Sequence, residues 1–151
     1  MSTLYYNGLK TEVMFMVERK RHWFVTFIQL FGLLFLLGAD YVREKKWADE
    51  IVPRIVVGDP VYLEQKNGHK FLTIHTEAAG SRAALLIIHG MGVHPDWDLI
   101  GVLRTELADQ GYTTLSVQMP VLVSDAKPED YPSTFGEAGD RLKVAVDFLR
   151  S

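Results

Sequence analysis

The chain has 151 residues, 48% hydrophobic and 23% charged, with 16 basic against 19 acidic side chains and a net charge of −3. That length suits roughly one domain, and the lack of a basic excess excludes an electrostatic nucleic-acid partner. There is no cysteine, which rules out disulfides, thiolate nucleophiles and cysteine-type zinc sites.

The N-terminal stretch Trp23–Ala39 is 17 residues without a charge, and Glu18-Arg19-Lys20-Arg21 stands just before it. A spanning helix needs about 20 apolar residues, with 17 near the lower limit. A basic flank, an apolar run and a small residue before a polar segment describe a secretory signal. Ala39 is then the last residue removed, although Leu37 stands where a second small residue is expected. Met14 and Met16 offer later starts that give such a signal a more usual length. A retained signal anchor and a buried core helix are the alternatives. Either of the first two places residues 40–151 outside the cytoplasm, in the periplasm or otherwise exported, or anchored to the inner membrane through Trp23–Ala39. Residues 1–39 are read as targeting sequence and residues 40–151 as the fold.

Asp40–Ile51 reads as a short amphipathic helix that Pro53 ends. Its run Glu44-Lys45-Lys46 reads as a solvated face. Residues 61–76 read as a hairpin. Val61-Tyr62-Leu63 forms one strand, Asn67-Gly68 the two-residue turn, and Phe71, Leu72 and Ile74 the return. His69 and His75 read as ordinary strand residues. Ala84–His89 is an apolar run without alternation, as expected of a strand covered on both faces. From Asp98 the pattern turns helical. Leu99, Leu103 and Leu107 recur every four residues with Ile100 beside them, and Gly111 stops the helix. Thr113–Met119 alternates as a strand, and Pro120–Ser133 is a polar loop. Phe135–Arg150 is a helix with Ala138, Leu142, Ala145, Val146 and Leu149 on one apolar face. The order is an antiparallel hairpin followed by parallel βα units, an α/β fold preceded by an apolar targeting helix.

The strand Ala84–His89 runs straight into His89-Gly90-Met91-Gly92. That motif, in that element order, resembles the N-terminal half of the α/β-hydrolase fold. Trp97 stands where many members carry a Trp at the start of their first helix. Gln110-Gly111-Tyr112, a strand and Met119-Pro120 resemble the usual Gly-Tyr, strand and Asp-x-Pro progression, with Gln118 in place of the acidic residue. From Trp47-Ala48-Asp49 through His94-Pro95-Asp96-Trp97 the chain is also similar to an uncharacterised bacterial family of exported α/β-hydrolase-like proteins. The resemblance covers residues 40–151 and implies a partial α/β-hydrolase-like sheet.

It also implies an oxyanion-hole donor at Met91, from the backbone N–H just after His-Gly. Glycines on either side let the backbone approach a ligand, and amides fixed in a turn stabilise developing negative charge. His89, Gly90, Gly92 and Trp97 are the pocket-lining candidates. The resemblance places the base later in the chain than His89. His94, Asp96 and Asp98 match no common zinc spacing, so no metal or other cofactor is expected. Asp96 or Asp98 reads instead as a helix N-cap.

The implied nucleophile belongs to a G-x-S-x-G elbow. Ser81, Ser116, Ser124 and Ser133 all lack the flanking glycines. The chain is therefore expected to be a partial or truncated form, inactive alone, whose complete form is a serine esterase-type hydrolase of a small ester-like substrate. The alternatives are a non-catalytic envelope binding protein of the same fold and a metal-dependent hydrolase using His89, His94 and nearby aspartates. The resemblance pairs Ala84–His89 with Thr113–Met119 on one side and with the nucleophile's strand on the other; that strand is not found in these residues, so the apolar strand is expected to be open to self-association.

Overall fold

A computed structural model describes residues 38–151. Of the apolar stretch Trp23–Ala39 only Gly38 and Ala39 belong to it, so the targeting reading lies outside the described residues. Among those residues, no helix is long and apolar enough to cross a membrane.

Helix α1 spans Tyr41–Ile51. The Asp40 carboxylate caps it, accepting the Arg43 backbone N–H at 3.0 Å, which satisfies a donor the helix cannot use itself. Lys45 and Asp49 pair at 2.7 Å along its exposed side. Pro53 does not abolish helical structure at once: it sits in a 3₁₀ turn over Val52–Arg54, where its missing N–H is not needed.

Strands β1 (Asp59–Glu64) and β2 (Lys70–Thr76) form the hairpin. Their register pairs Leu63 with Phe71 and Glu64 with Lys70. The connection differs from the two-residue turn expected. Gly68 N–H donates to Gln65 O at 2.9 Å, Gln65 N–H donates to His69 O at 2.9 Å, and only Gly68 takes positive φ, at 84°. This is a three-residue loop in which glycine alone supplies the left-handed residue. His69 closes this loop against Gln65 and stands just before β2, outside the strand.

Strand β3 (Ala84–Ile88), helix α2 (Leu99–Asp109), strand β4 (Thr113–Val117) and helix α3 (Phe135–Arg150) complete the fold. A second 3₁₀ turn, Pro128–Thr134, leads into α3. The sheet order is β1-β2-β4-β3. β2 runs antiparallel to β4, and β3 runs parallel to it with Leu86 beside Leu115.

One sheet face carries Leu63, Phe71, Leu86, Leu115 and Val117 against Ala145, Val144 and Phe148 of α3. On the other face Leu72 meets Ala48 and Ile51 of α1. Beside them Thr114 Oγ1 donates to Arg104 O of α2 at 3.0 Å, and Ser116 Oγ donates to Pro95 O at 2.6 Å. This face is held partly by hydrogen bonds between buried hydroxyls and backbone, each worth about 1 kcal/mol net.

Two expectations about apolar faces need correction. The stripe of α2 is not buried: Leu99 is 61% exposed, and the buried side chain of that helix is Arg104. Arg104 Nε donates to Asp96 Oδ1 at 2.8 Å, and its Nη1 donates to Val57 O. A buried guanidinium with matched acceptors replaces a leucine seam. Second, β3 is not covered throughout, since Ile88 is 46% exposed.

Candidate functional site

The parallel strands β3 and β4 end side by side, and the residues just past them are joined through His89. His89 is buried. Its Nε2 accepts the Met119 backbone N–H at 2.9 Å, so Nε2 carries no proton. Nδ1 is then protonated and donates to Gly90 O at 2.8 Å. Gln118 Nε2 lies 3.1 Å from the same His89 Nε2 and donates to Met119 O at 2.7 Å. Burial pushes the His89 pKa down to about 4. A neutral ring with both nitrogens engaged locks the two strand ends together and is not free to take a proton from a substrate. Gln118, where the resemblance has an acidic residue, is fully enclosed in this lock.

Beyond His89 the chain turns over Gly90-Met91-Gly92. Gly92 has φ 71°, a conformation that favours glycine. Among the described residues the Met91 N–H has no hydrogen-bond acceptor, and the Met91 side chain is exposed. The turn is braced from α1. Arg43 donates to Leu122 O at 2.6 Å and to Gly92 O at 3.4 Å, tying the loops after β3 and β4 to one side chain. Its guanidinium lies 4.5 Å over the Trp47 ring. His94 packs edge-on between Trp47 and Trp97, at 5.8 and 5.4 Å. Trp97 is half exposed. Tyr131 OH approaches from the fourth side, 3.7 Å from where a side chain on Gly92 would begin.

The N-cap expectation divides. Asp98 occupies the cap position of α2 without a side-chain cap bond, and it holds φ 41°, a strained value for a non-glycine residue. Asp96 is committed to Arg104. Among the described residues no group of three acidic or histidine side chains converges to hold a metal.

Behind the turn lies a buried ion network that the composition does not announce. Arg141 is fully buried. It donates to Glu44 Oε2 at 3.0 Å and Oε1 at 3.1 Å, to Glu137 Oε1 at 2.6 Å and to Gln118 O at 3.0 Å. Glu137 Oε1 also accepts from Tyr41 OH and Gln65 Nε2. Glu44, expected on a solvated face, is buried. Burial outweighs its pairing with Arg141 and pushes its carboxyl up to about 7. Glu137 is less enclosed. Burial pushes it up as well, but hydrogen bonds from Gln65 and Arg141 overcome that and hold it below the ordinary value. The signal was present in the sequence as a charge inside each apolar stripe. Glu44 heads the series Glu44, Ala48, Ile51, and Arg141 interrupts Ala138, Leu142, Ala145. Opposite charges in two buried stripes mark a partner pair.

A cavity of about 640 Å³ lies between α1 and the β1–β2 hairpin, walled by Tyr41, Glu44, Ala48, Tyr62, His69 and Leu72. It has the size of a ligand site, yet of the His89 surroundings it reaches only Gln118. It does not include Met91, Gly92 or Trp97. The cavity offers apolar walls, whereas the turn offers a free backbone donor at the carboxyl ends of parallel strands, where α/β sheets place their chemistry. The turn is therefore the candidate site. What it provides is a fixed amide able to meet an oxyanion, without a nucleophile beside it. Three hydroxyls are already occupied: Ser81 donates to Ala83 O, Ser116 to Pro95 O and Ser133 to Asp130 O.

Residues 58–148, more than half of the chain, match the family described as Protein of unknown function (DUF3530), and the chain belongs to that family. The match holds the His89 turn, Glu137 and Arg141, and begins after α1 with Arg43 and Glu44. No curated protein matches the chain.

Proposed function

We propose that the chain is the N-terminal half of an exported α/β-hydrolase-like protein and that the Met91 N–H belongs to its oxyanion hole. The observation that carries the reading is the placement of the His89-Gly90-Met91-Gly92 turn at the carboxyl end of β3, beside β4. The resemblance implies that neighbour and that turn. The unengaged Met91 N–H and the Arg43 brace on Gly92 support it, because electrostatic stabilisation requires donors fixed before charge develops. In this reading the complete form cleaves a small ester-like substrate with a serine that these 151 residues do not supply. A binding protein of the same fold, without a nucleophile, is the second reading.

Fluorophosphonate labelling tests the proposal. The purified chain is expected to remain unlabelled and to leave activated esters intact. A longer product of the same locus is expected to label once, at a serine between glycines. Stoichiometric labelling of Ser81, Ser116, Ser124 or Ser133 would overturn the assignment. A longer product that binds esters without labelling would favour the binding protein.

A further inference from the structure

Three arginines are drawn into the fold, and one of them is not neutralised there. Arg104 pairs with Asp96, and Arg141 pairs with Glu44 and Glu137. Arg43 is half-buried, yet its guanidinium meets only neutral groups: Leu122 O, Gly92 O and the face of Trp47. Among the described residues no carboxylate lies within ion-pair distance of it. The Asp40 carboxylate accepts the backbone N–H of Arg43 instead. Of the five guanidinium N–H groups two are engaged, which leaves three as donors. A partly desolvated cation without a counter-ion attracts an anion more strongly than a solvated one.

A second donor flanks the same turn. Tyr131 is 8% exposed, and a buried phenol ordinarily finds a partner for its hydroxyl. Among the described residues the Tyr131 OH has none; Thr134 Oγ1 takes only the carbonyl, at 2.8 Å. Both donors border the space beside Gly92. A Cβ placed there would lie 3.7 Å from Tyr131 OH and 4.0 Å from Arg43 Nη2, so the glycine leaves room for a ligand atom near both. The unengaged Met91 N–H belongs to the adjoining residue. Burial holds His89 and His94 below the ordinary histidine value, so Arg43 supplies the single full positive charge of this group. One positive charge suits a carboxylate, whose planar oxygens match the guanidinium fork, better than a dianionic phosphate. We propose that the turn binds a ligand carrying a carboxylate, held beside Gly92 by Arg43 and the Tyr131 hydroxyl. The inference deepens the proposed function and rests on that reading for the ester: the substrate class becomes a half-ester, with its carboxylate on Arg43 and its ester carbonyl toward Met91.

Monomethyl succinate, a short half-ester, is the probe. Methyl succinamate, with a neutral amide in place of the carboxylate, is its control. Titration of the full isotope-labelled chain, followed at the Met91 and Gly92 amide signals, reads both affinities and needs no nucleophile. The half-ester is expected to bind at least about tenfold more tightly than the amide. Arg43→Gln should abolish that preference, and Tyr131→Phe should weaken the half-ester about threefold or more. The comparison of the two ligands on the unaltered chain keeps the test usable if Arg43→Gln disturbs the turn. Equal affinities, no response of either signal to the half-ester, or a preference that survives Arg43→Gln would overturn the proposal. Tighter binding of inorganic phosphate than of the half-ester would overturn the carboxylate as the recognised group. Fluorophosphonate labelling of the longer product is independent of these outcomes, so failure of the carboxylate site and failure of the hydrolase reading are told apart.

Discussion

Two buried titratable groups near the turn respond to pH in opposite directions. His89 is held neutral, its pKa pushed by burial from 6.5 down to about 4. The unfolded chain protonates first, so His89 supports the fold fully above pH 6.5. That support is lost as pH falls through about 4. Glu44 is raised from 4.5 to about 7. It supports the fold fully below pH 4.5 and loses that support as pH rises through about 7. Each swing is on the order of 3 kcal/mol, and between roughly pH 4.5 and 6.5 the two offset each other. Replacing Glu44 by Gln removes one side of the balance. Relative to the unaltered chain, Glu44→Gln is expected to lose on the order of 3 kcal/mol more as pH falls from 6.5 to 4.5. Urea unfolding at four pH values measures this, and parallel stability curves would refute it. The same network predicts that Arg141→Met costs about 3–5 kcal/mol, because it strands Glu44 and Glu137 without their cation. A loss below 1 kcal/mol in urea unfolding would show that Arg141 is not what holds them.

At the level of elements, the sequence was most legible where one principle acted alone. Helix α3 appears over Phe135–Arg150 as its periodicity indicated. Gly111 ends α2 with φ 90°, and Tyr112 N–H returns to Leu107 O at 3.0 Å, as a glycine stop requires. Legibility failed at Glu44, which was taken for surface. It is buried because it meets Arg141, a partner distant in the chain, and the charge inside its apolar stripe marks a pair only once the two stripes are known to face each other. The turn at His89 was legible as a motif. Its brace, Arg43, was not, since it reaches Gly92 and Leu122 from across the fold. Three glycines separate backbone from packing effects. Gly68 has φ 84° with open space around it, so Gly68→Ala is expected to cost about 1–2 kcal/mol of conformational strain alone. Gly92→Ala should cost a similar amount, since its nearest neighbour is 3.7 Å away. Gly58→Ala adds a clash to the same strain, with His75 O only 2.8 Å from the new Cβ and Thr76 Oγ1 also in the way. It should cost roughly 3 kcal/mol or more. Thermal unfolding of the three variants ranks them, and equal losses would show that the space at Gly58 relaxes.

For the molecule as a whole, the reading as an exported protein meets the fold at one residue. Asp40 ties the start of α1 to the rest of the described fold. Its N–H donates to Val121 O at 2.6 Å and its C=O accepts the Glu44 N–H at 3.0 Å, while its carboxylate accepts from Arg43 N–H. Cleavage after Ala39, where a signal is expected to end, leaves every one of these bonds possible. The new α-ammonium replaces the amide as donor to Val121 O. A positive charge at the start of α1 opposes the helix dipole by about 0.5 kcal/mol, and the Asp40 carboxylate beside it offsets that cost. Removal further on, inside α1, would strip the cap and the bond to Val121. The exported product is therefore expected to begin at Asp40, and its unfolding free energy should match that of the unprocessed chain within about 1 kcal/mol. Intact-mass measurement of the protein recovered from the cell envelope decides this. A mature form beginning beyond Arg43 would contradict the anchoring role of Asp40. A full-length, membrane-bound product would show that Trp23–Ala39 is a retained anchor, and a full-length product confined to the cytoplasm would remove the reading as an exported protein.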